Sequence, residues 1–333
     1  MAVSIGRRQF ISALGGAAVA WPPAARAQQV ERMRRITVLL TESQDDPDAV
    51  ARVQSFREAL QHLGWTEGRN AQVDTRWNVA TADQVRAVAA ELATTGPDLI
   101  LAGGAAAVGP LLQATRAIPI VFVLVADPVS AGFVDSLAHP GGNATGFTAV
   151  EYGFGGKWLE LLKELFPTLT RAAVVRDPTI SVGIGLFDAM QSAAPSLGVE
   201  VVSVDVRDAS EMERGIAAFA QSPNGGMVVT ASAQAFARRE QIVAMAAQHK
   251  LPAVYPARPF VASGGLAAYT PDILEEYRLA AGYVDRILKG EKPANLPVQN
   301  PTKYALIINL KTAKALGIIV PPTLVARADE VIE

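Results

Sequence analysis

Short apolar runs alternate with longer amphipathic stretches along most of this chain, beginning near residue 36. The run at residues 36–40 is short and bounded by polar residues, which predicts a buried strand. Asp46 and Pro47 then supply an N-cap and a first-turn proline, and apolar residues recur at helical spacing until Gly64. The alternation continues with predicted strands at 72–77, 98–101 and 120–123 and predicted helices at 82–93 and 105–115. This order is typical of a parallel sheet covered by helices on both faces.

The alternation starts again after the turn cluster at residues 140–143. The second series contains predicted helices at 156–166, 182–194, 209–220 and 235–249, and predicted strands at 172–175, 199–204, 226–230 and 253–255. A strand at 266–270, a helix at 271–288 and a strand at 303–309 follow this second half. The predicted fold class is therefore α/β, with two doubly wound parallel-sheet (Rossmann-like) domains. Because the extra elements suggest several crossings between them, we expect a multi-strand hinge and a ligand cleft between the domains.

The N-terminal residues form a pattern of a different kind. Arg7 and Arg8 precede an apolar stretch at residues 10–20, and the small-x-small sequence at 25–27 follows. These are the parts of an export signal, and they predict a leader at residues 1–27 that is removed after Ala27. The apolar stretch is shorter than the roughly 20 residues needed to span a bilayer, so it predicts a leader and no membrane anchor. The arginine pair also resembles a twin-arginine signal, although Gly6 replaces the usual Ser or Thr and leaves the export route open.

The composition of the chain argues against several classes of function. The leader holds three arginines and no acidic residue, so its removal changes the net charge from −2 to −5. Nucleic acid is not an expected partner, because phosphate binding relies on a basic surface. The chain has no cysteine, and its three histidines show no spacing that could hold a metal. We therefore expect no metal and no cofactor, and we expect a monomer.

Candidate ligand-binding residues follow from a position rule. In open α/β sheets, ligands bind beyond the carboxyl ends of the strands. Tyr269, an aromatic residue near the end of the second half, is added to the residues at those positions. The resulting candidates are Thr41, Glu42, Ser43, Gly103, Gly104, Ala105, Ala126, Asp127, Asp177, Ser181, Ala231, Ser232, Tyr255, Arg258 and Tyr269.

The candidates of the first half each have a functional and a structural interpretation. The segment at 103–105 could seat a ligand carboxylate on a helix N-terminus, or it could be a tight turn that requires glycine. The segment at 41–43 could offer hydroxyl groups, or a carboxylate for a ligand amine, or it could be a solvated loop. Asp127 could contact a ligand, or it could cap a predicted helix that includes residues 131–137.

The aromatic and basic candidates of the second half also keep two interpretations. Tyr255 and Tyr269 could line a cleft and bury a flat apolar ligand, whereas Tyr255 could equally be a core residue. Arg258 could pair with an anionic ligand, or it could be a solvated surface group. Trp65, Trp77 and Trp158 lie near the ends of elements and are expected to serve packing.

Several segments resemble one known family. They lie at residues 125–129 with Gly132, and at 140–146, 287–293, 309–317, 321–322 and 326–332. The chain resembles ABC-transporter substrate-binding proteins with the type I periplasmic-binding fold, some of which bind aromatic amino acids. The resemblance implies one lobe of residues 28–147 plus 271–299 and a second of 148–270 plus 300–333. It also implies that the protein has an open state and a ligand-bound closed state, and that the closed state docks on an ABC permease of the inner membrane. The protein would then work in the periplasm.

The expected function is that of a periplasmic receptor that binds a small amphipathic solute and feeds an ABC importer. The solute would be an aromatic or branched amino acid or a related organic acid. A ligand sensor that docks on a membrane receptor is an alternative that the sequence leaves open. An enzyme on the same scaffold is a further alternative, yet the chain lacks a cysteine, a Gly-x-Ser-x-Gly elbow and a histidine cluster. The expectation is therefore a binding protein and no enzyme.

Overall fold

The computed structural model of this protein describes residues 32–79 and 81–333, so the predicted leader at 1–27 lies outside the described residues. The first sheet is parallel and has five strands in the order β2-β1-β3-β4-β5. The strands are β1 (Arg34–Leu39), β2 (Ala71–Arg76), β3 (Leu99–Gly103), β4 (Ile120–Val125) and β5 (Ala144–Thr148).

Helices with clear capping signals cover this sheet. They are α1 (Pro47–His62), α2 (Ala82–Thr95) and α3 (Ala105–Ala114). The side chain of Asp46 accepts hydrogen bonds from the backbone amides of Asp48 and Ala49 at the start of α1. Thr81 and Gln84 form a capping box on α2, which ends at Gly96 in the left-handed conformation. Apolar clusters on both faces of the sheet form the core of this part, which we call the first lobe.

The second sheet has seven strands in the order β12-β11-β10-β9-β8-β6-β7. Its strands are β6 (Arg171–Arg176), β7 (Glu200–Asp205), β8 (Gly225–Val229), β9 (Ala253–Tyr255), β10 (Ala267–Pro271), β11 (Tyr304–Asn309) and β12 (Glu330–Ile332). Strands β6 to β10 are parallel, whereas β11 pairs antiparallel with β10 and parallel with β12.

Helices cover both faces of the second sheet and complete what we call the second lobe. They are α4 (Phe154–Leu165), α5 (Ser181–Leu197), α6 (Ala209–Phe219), α7 (Ala233–Ala237), α8 (Arg239–Gln248), α9 (Arg258–Ala262), α11 (Leu310–Ala315) and α12 (Pro322–Arg327). Helix α10 (Ile273–Leu288) belongs elsewhere, because it packs on α1 and on strands of the first sheet.

The chain passes between the lobes three times. It leaves the first lobe after β5, returns between β10 and α10, and leaves again after Gln299, which forms a bridge with Phe147 of β5. The backbone amide of Thr148 donates to the carbonyl of Gln299, so two crossing segments run side by side. These crossings form the predicted multi-strand hinge, and the two-lobed α/β fold class is confirmed. The residue-level division into lobes stays a prediction.

Two sequence predictions of local structure are wrong, and the sequence analysis missed a strand. The helix expected to include residues 131–137 is a series of turns, in which Asp127 accepts from the Ser130 amide at 2.9 Å. The single helix expected at 235–249 is divided at Arg238 into α7 and α8. Strand β5 was not predicted, because its residues follow a Pro-Gly-Gly-Asn turn and include Gly146. Within the described residues, no helix is both long and apolar enough to cross a membrane.

Candidate ligand-binding cleft

A cleft of about 790 Å³ lies between the two lobes, where the carboxyl ends of their parallel strands face each other. Its volume falls within the range of small-molecule sites, roughly 300–1,000 Å³. Most of its surface is apolar, and a small number of charged side chains interrupt that surface. Segments after β1, β4, β8, β9 and β10 contribute to its walls, which is the placement expected for a ligand site in α/β proteins.

The first lobe contributes an ion pair to the cleft. Nη1 of Arg52, on α1, lies 2.9 Å from Oε1 of Glu42, in the segment after β1. The Thr41 hydroxyl donates to the other carboxylate oxygen of Glu42 at 3.0 Å. Asp48 lies one helical turn before Arg52 on α1 and also lines the cleft. This wall therefore presents two carboxylates and one guanidinium to a ligand.

The second lobe contributes a corresponding ion pair. Arg258, the first residue of α9, donates from Nε and Nη2 to the two carboxylate oxygens of Glu330 in β12, each at 2.8 Å. This bidentate bond raises the pKa of Arg258, and the charge of Asp48 adds to the effect from the opposite lobe. Asp48 and Arg258 thus attract each other across the cleft.

The hinge side of the cleft holds a third ion pair. Asp272 caps α10 by accepting from the Glu275 amide at 3.1 Å, and it pairs with Lys303 at 2.8 Å. Burial opposes ionisation of Asp272, but its bonds with Lys303 and the Glu275 amide outweigh burial and lower its pKa. Asp272 therefore joins two crossing segments of the hinge as a carboxylate.

Beneath this part of the cleft lies a carboxyl group of a different kind. Glu276 is 2% exposed, and neither of its oxygens has a hydrogen-bond partner among residues 32–79 and 81–333. Burial, assisted by the charge of Asp272, raises its pKa to about 8, against a smaller lowering by the Leu124 amide and Arg52. The Glu276 carboxyl is consequently protonated at neutral pH in this arrangement.

The apolar part of the cleft includes two aromatic side chains of the second lobe. Trp158 of α4 lines the cleft while only 2% exposed, and its indole N–H donates to the Tyr269 carbonyl at 2.6 Å. Phe236 of α7 is 37% exposed and meets the Phe260 ring edge-on at 5.4 Å. Leu124, with a positive φ of 59°, lines the cleft from the first lobe. Such a surface can bury the apolar part of a small ligand.

A hydrogen-bond cluster joins the lobes beside the cleft. Asp127 follows β4 of the first lobe, and its carboxylate accepts from the Tyr152 hydroxyl at 2.7 Å. Burial opposes ionisation of Asp127, but hydrogen bonds from Ser130, Tyr152 and Ser181 outweigh burial and lower its pKa. Because Ser181 begins α5 of the second lobe, this carboxylate links the two lobes.

Five of the candidate residues predicted from the sequence line the cleft. They are Glu42, Ala126, Ala231, Ser232 and Arg258. Ser232 also caps α7 by accepting from the Ala235 amide at 3.1 Å. The sequence left open whether Arg258 binds an anionic ligand or is a solvated surface group. In the structure, it forms a salt bridge with Glu330 of its own lobe. The structure therefore brings together candidates from both halves of the chain.

The other candidates of the first half do not contribute to the cleft wall. Ser43 accepts from the Asp45 amide at 3.1 Å in the turn before α1. Gly103 is buried, and a Cβ there would lie 2.9 Å from Leu40 and 3.2 Å from the Tyr277 hydroxyl. Gly104 has a φ of 84° and precedes the exposed Ala105 at the start of α3. Thr41 acts on the cleft through Glu42, as described above, and Asp127 lies in the interlobe cluster.

Three of the remaining candidates of the second half have their contacts within the second lobe. Asp177 is 3% exposed and accepts from the amide and hydroxyl of Thr179 at 2.9 and 2.6 Å. Tyr255 is 1% exposed, and its ring stacks on Phe260 with centroids 5.4 Å apart. Tyr269 packs its ring against Phe154 and Tyr304 and offers its carbonyl to Trp158. Ser181 lies in the interlobe cluster.

Sequence reasoning missed several residues of the cleft. Asp48 and Arg52 lie one turn apart on α1, and this spacing on a helix after the first strand was a usable signal. Trp158 was assigned to packing alone, yet it packs and also lines the cleft. Phe236 gave no signal in the sequence, because its position depends on the break between α7 and α8.

Comparison with known proteins yields one family and a common fold. The model of the family described as "ABC transporter substrate binding protein" matches residues 37–332. The "Tyrosine-binding protein" of Clostridioides difficile strain R20291 is 26% identical over 269 residues, covering 79% of this chain and 75% of that protein.

Two solved structures share the two-lobed arrangement. An ABC domain from Streptococcus pneumonia in complex with L-Trp is 23% identical, with a TM-score of 0.76 and coverage of 90% of this chain and 99% of that chain. A ligand-free, open substrate-binding protein with adhesive properties from Clostridium difficile is 24% identical, with a TM-score of 0.76 and the same coverage of 90% and 99%. At these identities the similarity shows the fold.

Proposed function

Because this chain belongs to the family of ABC transporter substrate-binding proteins, we propose that it binds a small amphipathic solute between its lobes and delivers it to an ABC permease of the inner membrane. The observation that carries the proposal is the cleft of about 790 Å³, which is mostly apolar but has ion pairs on both walls. In this proposal the protein works in the periplasm, after an export signal at residues 1–27 has been removed. It acts by binding and release, without chemical conversion of the solute.

The chemistry of the cleft favours an aromatic or branched amino acid. Its apolar surface, with Trp158 and Phe236, suits a hydrophobic side chain. Its charged lining has more acidic groups than basic ones, since five carboxyl residues accompany Arg52 and Arg258. This balance favours a solute with an ammonium group over an organic acid that carries only negative charge. The similarity to a protein named for tyrosine binding agrees with this class of solute.

A thermal-shift screen of the purified protein tests the binding step. The panel contains aromatic and branched amino acids, their des-amino acids, sugars and short organic acids. A solute present at 100 times its Kd adds about 2.7 kcal/mol to the free energy of unfolding. We expect amino acids with large apolar side chains to raise Tm and the sugars to leave it unchanged. If no compound of the panel raises Tm, the proposed binding of such solutes is wrong.

Uptake of the identified solute tests delivery. Cells that lack this protein are expected to lose high-affinity uptake of the labelled solute, and expression of the protein restores it. The control strain carries a variant with Glu42 and Arg52 replaced by Gln and Met, which removes the ion pair from the cleft. Unchanged uptake without the protein would favour a sensor over a transport receptor.

A further inference from the structure

Tyr152 occupies a seat that a glycine provides on α5. A Cβ at Gly185 would lie 2.5–2.9 Å from three carbons of the Tyr152 ring, so the ring rests directly on the helix backbone. The φ of Gly185 is not positive, so the backbone conformation does not require glycine at this position. Glycine within a helix is unfavourable relative to alanine. The contact with Tyr152 therefore accounts for the glycine.

From this seat the Tyr152 hydroxyl reaches the first lobe. It donates to Oδ2 of Asp127 at 2.7 Å, while Oδ1 of the same carboxylate accepts from the Ser130 amide at 2.9 Å. A hydrogen bond from a hydroxyl to a carboxylate is stronger than one between two neutral groups. Both ends of the bond are thus held in place, Tyr152 by α5 and Asp127 by the turns after β4.

The bond lies beside two apolar walls of the cleft. Ala126 lines the cleft from the first lobe and directly precedes Asp127. Three apolar residues near Gly185 line the cleft from the second lobe, namely Ile180, Val182 and Leu186. None of Tyr152, Asp127 and Gly185 is among the described residues that line the cleft, so they act on a solute through these walls. The bond therefore fixes the separation of the Ala126 wall from the α5 wall.

This bond differs from the contacts of the hinge. The Thr148 amide donates to the Gln299 carbonyl where two crossing segments run together through the hinge. The Tyr152–Asp127 bond instead joins a side chain seated on α5 to a turn of the first lobe. Rotation of one lobe against the other changes the distance between these two sites. The bond consequently favours the arrangement in which the cleft has its volume of about 790 Å³.

We propose that Tyr152 is a positioning residue for solute binding: seated on Gly185 and bonded to Asp127, it holds the apolar walls of the cleft at the spacing that the solute requires. The inference rests on the proposed function and adds a residue outside the cleft wall that sets the affinity. Without the bond, a smaller fraction of the free protein has this spacing, and the apparent Kd rises as that fraction falls. Because only the free protein is affected, Kd rises by the same factor for every solute that binds.

Calorimetric titration of Tyr152→Phe measures the effect. The unaltered protein and the variant are titrated with L-tyrosine, L-phenylalanine, L-tryptophan and L-leucine. We expect Kd to rise by about 5- to 10-fold in the variant, and by the same factor for each of these amino acids that binds. The control is Tyr304→Phe, which removes a hydroxyl that has no partner in the described part of the chain. This control should leave Kd unchanged.

A second variant alters the seat and keeps the hydroxyl. In Gly185→Ala, the new methyl group displaces the Tyr152 ring and with it the bond to Asp127. We expect the same rise in Kd as for Tyr152→Phe, and no further rise when the two substitutions are combined, because both remove one bond. The control is Gly282→Ala in α10, where a Cβ would meet no side chain of the described residues within 4 Å. It makes the same change to helix propensity and should leave Kd unchanged.

The distance between the lobes supplies a measurement that a purely local role of Tyr152 would not change. The chain has no cysteine, so Ala90→Cys on α2 and Ala247→Cys on α8 place one spin label on each lobe at exposed positions. Double electron–electron resonance measures the distance distribution between the labels. We expect a broader or shifted distribution in solute-free Tyr152→Phe than in the otherwise unaltered labelled protein. Saturation with whichever of the four amino acids binds should make the two distributions the same.

Each outcome separates this inference from the proposed function. If the amino acids bind and Tyr152→Phe leaves Kd unchanged or lowers it, the inference is overturned while the proposed function stands. The same holds if the solute-free distance distribution is unchanged, if Gly185→Ala binds like the unaltered protein, or if the factor differs between amino acids, which indicates a direct contact. If none of the four amino acids binds the unaltered protein, the proposed function fails, and the inference that rests on it is wrong as well.

Discussion

Nη1 of Arg52 lies 2.9 Å from Oε1 of Glu42, and this pair joins helix α1 to the segment after β1 within the cleft. The side chain of Arg52 is 16% exposed and that of Glu42 is 30% exposed. The pair is thus shielded enough to be stronger than an exposed salt bridge, yet a ligand can reach it. In the proposed function, this pair would serve as a charged anchor for a zwitterionic solute.

Replacement of Glu42 by Gln tests this anchor. The variant keeps the side-chain volume but loses the negative charge that would hold a solute ammonium group. We expect the Kd for the amino acid to rise by about 10- to 100-fold, equivalent to about 1.4–2.8 kcal/mol. Calorimetric titration measures the change, with Glu67→Gln as a matched control at the exposed partner of Arg57. An unchanged Kd for Glu42→Gln would exclude Glu42 as the ammonium partner.

Phe236 is expected to bury part of the apolar side chain of the solute. Truncation to alanine removes a ring that lines the cleft and should weaken binding by about 10-fold, or about 1.4 kcal/mol. Leu279→Ala is the control, because Leu279 is also 37% exposed but lies on α10 outside the cleft wall. Tm values of the free proteins separate lost binding from lost packing against Phe260. Equal loss of affinity in the two variants would contradict the assignment.

Alanine substitutions at two neighbouring glycines of α4 are expected to have different effects on the free energy of unfolding. A Cβ at Gly155 would lie 2.3 Å from the carbonyl oxygen of Leu186 in α5, so the two helices must separate. A Cβ at Gly156 would meet the Ala193 methyl at 3.4 Å, an ordinary contact. We expect Gly155→Ala to lower the free energy of unfolding by about 1–3 kcal/mol. Gly156→Ala should leave it unchanged or raise it by up to about 1 kcal/mol, and urea unfolding distinguishes the two.

Glu276 makes stability depend on pH with a definite sign. Its pKa is about 8 in the folded protein and 4.5 as an ordinary glutamate, so the folded state binds more protons between these values. The free energy of unfolding contributed by this group therefore falls as pH rises from about 5 to 8, by an amount on the order of 3 kcal/mol. Urea unfolding at several pH values measures this effect. Over this interval, the free energy of unfolding of the unaltered protein should fall relative to that of Glu276→Gln. Parallel pH curves would show that Glu276 does not titrate there.

The Tyr152 hydroxyl is expected to stabilise the interlobe cluster. Tyr152→Phe removes its hydrogen bond to Asp127, and we expect the free energy of unfolding to fall by about 0.5–1.5 kcal/mol. Tyr304→Phe is the control, since the Tyr304 hydroxyl is buried without a partner in the described part of the chain. That control should be neutral or slightly stabilising, and equal losses in both variants would contradict the role of the Asp127 bond.

The local pattern of the sequence predicted most elements of this fold. Strand β9 was predicted with its observed bounds, and helices α1, α2 and α3 begin at the residues predicted for them. The position rule also identified Glu42 and Arg258, which line opposite walls of the cleft. These predictions succeed because strand and helix periodicity is local, and because parallel strands direct their carboxyl ends to a shared edge.

The sequence alone could not show which distant residues meet. The family resemblance assigned the helix after β10 to the first lobe, but only the packing of α10 on α1 showed that Glu276 is buried there. It placed a strand at 303–309, but only pairing with β10 made β11 antiparallel. These features arise from contacts between segments far apart in the chain, whose free energies depend on burial and register. The sequence by itself thus determined the succession of elements and their likeness to a family, whereas the tertiary structure decided which charges and rings line the cleft.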